Sequence, residues 1–126
     1  MKRGKNMNEN IQKVRPRYVA ETLRKRLRRS LTNVGMSPLM RVEEVDLSHV
    51  SFLTPKKEVD FIRKMKRFLM ELDPLEREFF DKEFLCLGVE YRFWWRFYFN
   101  SDSEYSSEMR FLAYRAYKTL GGYFDA

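Results

Sequence analysis

With one cysteine and one histidine in 126 residues, the chain lacks the roughly four Cys or His ligands that a structural zinc site requires. Nucleophilic catalysis is no better supplied, because it needs a base beside the nucleophile. Cys86 lies between Leu85 and Leu87 as a small apolar residue, and His49 sits in a stretch without periodicity. A lone cysteine forms no internal disulfide, which points to a reducing compartment such as the cytoplasm. Glycine and proline are sparse, at five and four residues, and no run of Val, Ile and Thr alternates with polar residues long enough to suggest a sheet. No window reaches the roughly 18 apolar residues of a membrane span, and no apolar stretch of the secretory kind follows the basic amino terminus. Gly121-Gly122 is not followed by the Lys-Ser/Thr of a phosphate loop and reads as a helix end. Glu43-Glu44 and Glu76/Glu78 are too close in sequence to share a helix face, so they read as solvated charge and not as an acid–base pair. A protein without catalytic site, cofactor or metal is expected.

What remains is enough to fold. Apolar residues make up 44% of the chain and aromatic residues 16%, above what a disordered segment carries, and the length suits one modest core. The net charge of +7 is unevenly spread: residues 1–30 hold 11 Lys or Arg against Glu9 and Glu21, while the remainder is slightly acidic. Basicity gathered at one end points to a polyanionic partner.

Residues 1–16 are polar and aperiodic and read as a basic arm. Over 17–35, Val19, Leu23, Leu27 and Leu31 recur every four positions while Arg24, Lys25, Arg28 and Arg29 fill other faces, which predicts a basic amphipathic helix ending at Gly35. Those cations read either as a polyanion contact or as a solvated face. Residues 36–54 show no sustained period and form a connector. Its length suggests that the first helix is an appendage. Thr54-Pro55 then opens a second helix carrying Val59, Ile62, Met65, Leu69 and Leu72. Asp73-Pro74-Leu75-Glu76 combines a capping aspartate, proline at the first helical position and Glu three residues after the cap, a strong start for a third helix through Phe79, Phe80 and Phe84. A fourth, aromatic helix spans about Glu90 to Phe99 and reads either as core or as a stacking platform for single-stranded nucleic acid. A fifth begins near Glu104 and carries Met109, Leu112, Ala113, Ala116, Tyr117 and Leu120 on one face.

The fold expected is therefore all-α: a small helical bundle with a basic N-terminal helical appendage, and a helix-turn-helix within residues 55–123. In a helix-turn-helix the last helix docks by an apolar side and offers a polar side near its amino terminus to base edges. Ser103, Ser106, Ser107, Arg110 and Tyr114 would supply that side, with Arg92, Arg96 and Lys118 placed for phosphate.

Three segments carry a family resemblance: Glu71-Leu72-Asp73-Pro74-Leu75-Glu76-Arg77, the aromatic run ending Trp94-Trp95-Arg96-Phe97-Tyr98-Phe99, and Ser101-Asp102-Ser103-Glu104-Tyr105. Over about residues 17–123 the chain resembles the ArpU-type phage transcriptional regulators, whose carboxy-terminal half is similar to region 4 of sigma factors. Its aromatic, lysine-rich style is also similar to small mollicute proteins. The ArpU resemblance implies a DNA-binding regulator in which Ser101, Ser103 and Tyr105 open the recognition helix and Arg110 is a basic contact. Where that family continues with Tyr-Arg, this chain has Ser106-Ser107-Glu108. Asp102, Glu104 and Glu108 weaken the attraction to phosphate there, so the amino-terminal helix would supply most of the affinity. The acidic turn equally suits a protein partner such as RNA polymerase, and residues 1–30 would suit RNA or the ribosome.

Overall fold

In the computed structural model, which describes residues 14–85, 99 and 101–124, the four-residue apolar spacing near the amino terminus forms helix α1 (Pro16–Asn33). Pro16 opens it without an amide hydrogen to strand. Gly35 closes it at φ +83°, and the bonds from Met36 N to Leu31 O and from Gly35 N to Thr32 O make a Schellman ending. Two 3-10 turns follow, Val42–Glu44 and Leu47–His49, and Asp46 caps the second through Ser48. Helix α2 spans Lys56–Glu71, α3 spans Pro74–Phe80 and runs into a π-helical turn over Asp81–Leu85, and α4 spans Asp102–Leu120. These are four α-helices with no strand among the described residues, an all-α bundle. Of the described segments, no helix is long and apolar enough to cross a membrane.

The first helix is not an appendage. Val19, Leu23, Leu27 and Leu31 belong to the same buried cluster as Phe61, Met65 and Leu69 of α2, Phe79 and Phe80 of α3, and Leu112 and Ala116 of α4. Each such aliphatic side chain gains roughly 1.5–3 kcal/mol on leaving water, so detaching α1 would forfeit a large part of the stability of a chain this size. Charge binds it as well. Arg26 Nη2 donates to Glu58 Oε1 of α2 at 2.6 Å with both side chains almost wholly out of water, and Asn33 Nδ2 donates to Glu58 Oε2 at 2.8 Å. The guanidinium carbon of Arg26 lies 5.4 Å from the Phe61 ring centroid.

The connector is likewise part of the fold. Val42 and Val45 are buried, and the Lys66 ammonium donates to the Val45 carbonyl, tying the connector to α2. Its aperiodic sequence hides this, because 3-10 turns bury single residues and not a repeating face.

Helix starts largely follow the residues expected of them. Asp73 Oδ1 accepts from Glu76 N at 2.8 Å while Glu76 Oε1 accepts from Asp73 N at 3.1 Å, a reciprocal capping box. Arg77 then reaches back to the Leu69 and Leu72 carbonyls at 2.9 and 3.1 Å, satisfying the carboxy-terminal end of α2. Pro55 is itself the cap of α2, one residue later than Thr54, and makes no side-chain cap bond. Ser101 Oγ accepts from Glu104 N at 3.2 Å, so α4 begins two residues before the expected Glu104. The third helix keeps its α-form only to Phe80. Beyond it the wider turn stacks Phe84 on Phe80, with centroids 4.6 Å apart and planes 10° from parallel. The aromatic helix expected over Glu90–Phe99 lies, apart from Phe99, outside the described residues.

Candidate nucleic-acid interface

The apolar stripe of α1 faces inward, so its cations, apart from the buried Arg26, are driven to the other faces. Arg17, Arg24 and Arg28 follow one another at seven and four residues along a single outward row, with Lys25 and Arg29 exposed beside it. Ala20, on the edge of that row, faces the first turns of α4. Between the two helices lies an open groove of about 630 Å³, lined among the described residues by Pro16, Arg17, Ala20, Arg24, Lys82, Glu83, Tyr105, Ser106, Met109 and Arg110. Its floor is apolar and its rim largely cationic. A second, smaller groove of about 170 Å³ shares Arg24 and adds Arg28, Arg41 and Asp81. There Asp81, and then Glu43, which bonds the guanidinium at 3.2 Å, hold the Arg41 pKa above its ordinary value.

Some rim cations already hold carboxylates. Arg17 Nε lies 3.0 Å from Glu21 Oε1 and Lys82 Nζ lies 3.1 Å from Glu78 Oε1. The Arg17 pair is solvent-exposed, and pairs of that kind contribute at most about 1 kcal/mol, so a phosphate could replace the carboxylate at little cost.

The residues expected to contact DNA do not all meet at one place. Arg24, Tyr105, Ser106 and Arg110 meet in the main groove, and Arg28 joins them through the second one. Ser101 caps α4, Ser103 and Ser107 are exposed on its first two turns, and Lys118 is exposed near its far end. Arg92 and Arg96 lie outside the described residues. The searches with family models, curated proteins and solved structures returned no match to this chain.

Tyr114 does not belong to the exposed flank. It is buried with Phe111 in a small cluster against Val14, and the Lys118 ammonium lies 5.5 Å from its ring centroid. Its spacing of four from Arg110 pointed outward, but Phe111 to Ala116 are buried on almost every side of α4, Arg115 alone being half-buried. An aromatic ring gains far more by leaving water than its hydroxyl gains by staying. The polar flank thus ends at Arg110. Tyr105 is also held inward: its ring packs 5.5 Å from Phe79, and its phenol donates to Glu83. Burial first, then the Glu83 charge and that bond, push the phenol pKa above its usual value.

Arg17, Lys82 and Arg41 are groove residues that sequence reasoning did not single out. Arg17 had a signal, since it stands seven residues before Arg24 on the same row. Lys82 had none, because its direction depends on the π-helical turn.

Proposed function

We propose that this chain binds DNA as a helix-turn-helix transcriptional regulator of the cytoplasm, with no catalysis of its own. The groove between α1 and the first turns of α4 would follow the phosphate backbone. The observation that carries this reading is the convergence of Arg17 and Arg24 with Ser106 and Arg110, far apart in sequence, on one open groove with a largely cationic rim. Support also comes from the capped start at Asp73-Pro74 and the Ser101 cap of α4, the two starts that carry the resemblance to ArpU-type regulators. In this arrangement Arg24, Arg28 and Lys25 contact phosphates, while Ser103, Ser107 and Arg110 approach base edges.

Fluorescence anisotropy on duplex DNA, titrated over a range of salt, tests it. Arg24→Ala should weaken binding to every sequence alike and flatten the plot of log affinity against log salt by about one. Arg110→Ala should cost about 1–3 kcal/mol on a preferred sequence and less elsewhere. Binding that ignores salt, or that neither variant weakens, would overturn the reading.

Phe52 and Leu53 favour a second reading, in which a protein such as RNA polymerase is the partner. They stand 94% and 78% exposed at the turn before α2, where a lone folded domain gains nothing from them. That reading gains if duplex DNA fails to bind.

A further inference from the structure

The row of α4 that carries Ser106 and Arg110 continues, seven residues on, to Tyr117. Seven residues are nearly two full turns, so Tyr117 shares the direction of Arg110 and lies roughly 10 Å further along the helix. Helices α1 and α4 run antiparallel here, since Arg24 and Ala20 meet Tyr105 and Ser106 in the main groove while Tyr18 meets Tyr117. The cationic groove and this tyrosine pair are therefore successive stations on one seam.

The pair is built to present ring faces. Tyr18 and Tyr117 are 48% and 45% exposed, and each meets Phe124 edge-on, at 6.0 and 5.7 Å between centroids. Tyr117 also rests on Gly121, where an added Cβ would stand 3.3 Å from two ring carbons. A concavity of about 420 Å³ opens at the two tyrosines, lined by Val14, Arg15, Tyr18 and Tyr117. Exposed Arg15 lines it, and exposed Arg17 and Lys118 adjoin the two tyrosines in sequence. Aromatic rings in such a setting attract either a cation or a flat ring. The surrounding positive charge repels the first and favours a flat ring attached to an anion.

We propose that Tyr18 and Tyr117 form a stacking site for an unpaired nucleobase, its strand entering along the α1–α4 groove. A cationic track that ends in exposed aromatic rings is how single strands are held without reading sequence. This proposal rests on the nucleic-acid reading above and adds a substrate class to it: DNA with a single-stranded segment.

The test compares two single-stranded oligonucleotides of equal length and charge bound to the full chain, one of thymidines and one abasic through its central positions. The thymidine strand should bind roughly 5- to 150-fold more tightly, the range that stacking of one base supports. Tyr117→Ala and Tyr18→Ala should each remove most of that preference, and Tyr117→Phe should keep it, because the ring face and not the hydroxyl does the stacking. Both tyrosines are about half exposed and lie outside the main core cluster, so helix content by circular dichroism should stay close to that of the parent. Equal affinity for the two strands overturns the stacking site and leaves the phosphate groove standing. A preference that survives both alanine variants overturns the location. Failure of duplex and both strands to bind overturns the stacking site together with the reading beneath it.

Discussion

Glu58→Gln should cost this protein a large part of its stability. The substitution keeps the shape of the side chain but removes the charge that faces Arg26, whose own side chain is only 3% exposed and 2.6 Å from the Glu58 carboxylate. The guanidinium cannot give up its proton, so it would stay charged in a place water does not reach, with the Glu58 charge gone. Removing one partner of a buried pair costs about 3–5 kcal/mol, against a total of about 5–15 kcal/mol for a domain. With a urea dependence of about 1–3 kcal/mol per molar, that loss moves the unfolding midpoint down by roughly 2 M. Urea titration followed by circular dichroism at the helix band reads the shift directly. The double variant Arg26→Met with Glu58→Leu should recover most of it, since two apolar side chains of similar volume need no compensation. Were α1 an appendage, Glu58→Gln would leave α2–α4 unfolding at the parent midpoint and release α1 in a separate, earlier transition. A single midpoint within about 0.3 M of the parent would refute the argument, because only an exposed pair is worth so little.

Two further outcomes follow from local geometry. Gly35→Ala should destabilise the chain by about 1–2 kcal/mol in the same titration, because a side chain at φ +83° meets the backbone clash that glycine avoids even though the surrounding space is open. Tyr105→Phe should flatten the dependence of stability on alkaline pH. The folded phenol binds its proton more tightly than the unfolded one, so stability is intact below about pH 10 and falls as pH rises past it, by up to about 1.4 kcal/mol per pH unit. Chemical denaturation at a series of pH values between 9 and 11 separates the two slopes.

The helices and their caps were legible because each is decided within a few neighbouring residues. The four-residue leucine spacing of α1, the Asp73-Pro74-Glu76 start and the stop at Gly35 need no knowledge of the rest of the chain. What α1 packs against was not legible. A basic amphipathic helix followed by an aperiodic connector looks like an appendage, and the sign that it is not, the pairing of Arg26 with Glu58 and Asn33, spans 32 and 25 residues with no local trace. Arg26 falls among Arg24, Lys25, Arg28 and Arg29 and was indistinguishable from them by composition. The site divided in the same way. Arg24, Ser106 and Arg110 were placed on the groove from their faces, Tyr114 was misplaced because α4 is buried almost all round from Phe111 to Ala116, and Lys82 was missed because a π-helical turn aims it.

Helix α1 supplies the arginine of two Arg–Glu pairs, and the contrast between them separates fold from function better than distance does. Arg26–Glu58 at 2.6 Å and Arg17–Glu21 at 3.0 Å are both good hydrogen bonds, yet the first has side chains 3% and 7% exposed and the second 90% and 51%. For the buried pair, exchange with an outside anion would require opening the core, so no ligand competes for it. For the exposed pair, water already competes and the bond holds little free energy, so under the proposed reading a phosphate arriving along the groove would displace Glu21 without disturbing the packing. If the chain binds DNA as proposed, the excess of positive charge near the amino terminus does two separable jobs. Arg26 holds α1 to the bundle, and that attachment keeps the Arg17–Arg24–Arg28 row fixed beside α4. Added salt should weaken only the second job, so a polyanion should dissociate from a protein whose helices remain fully formed.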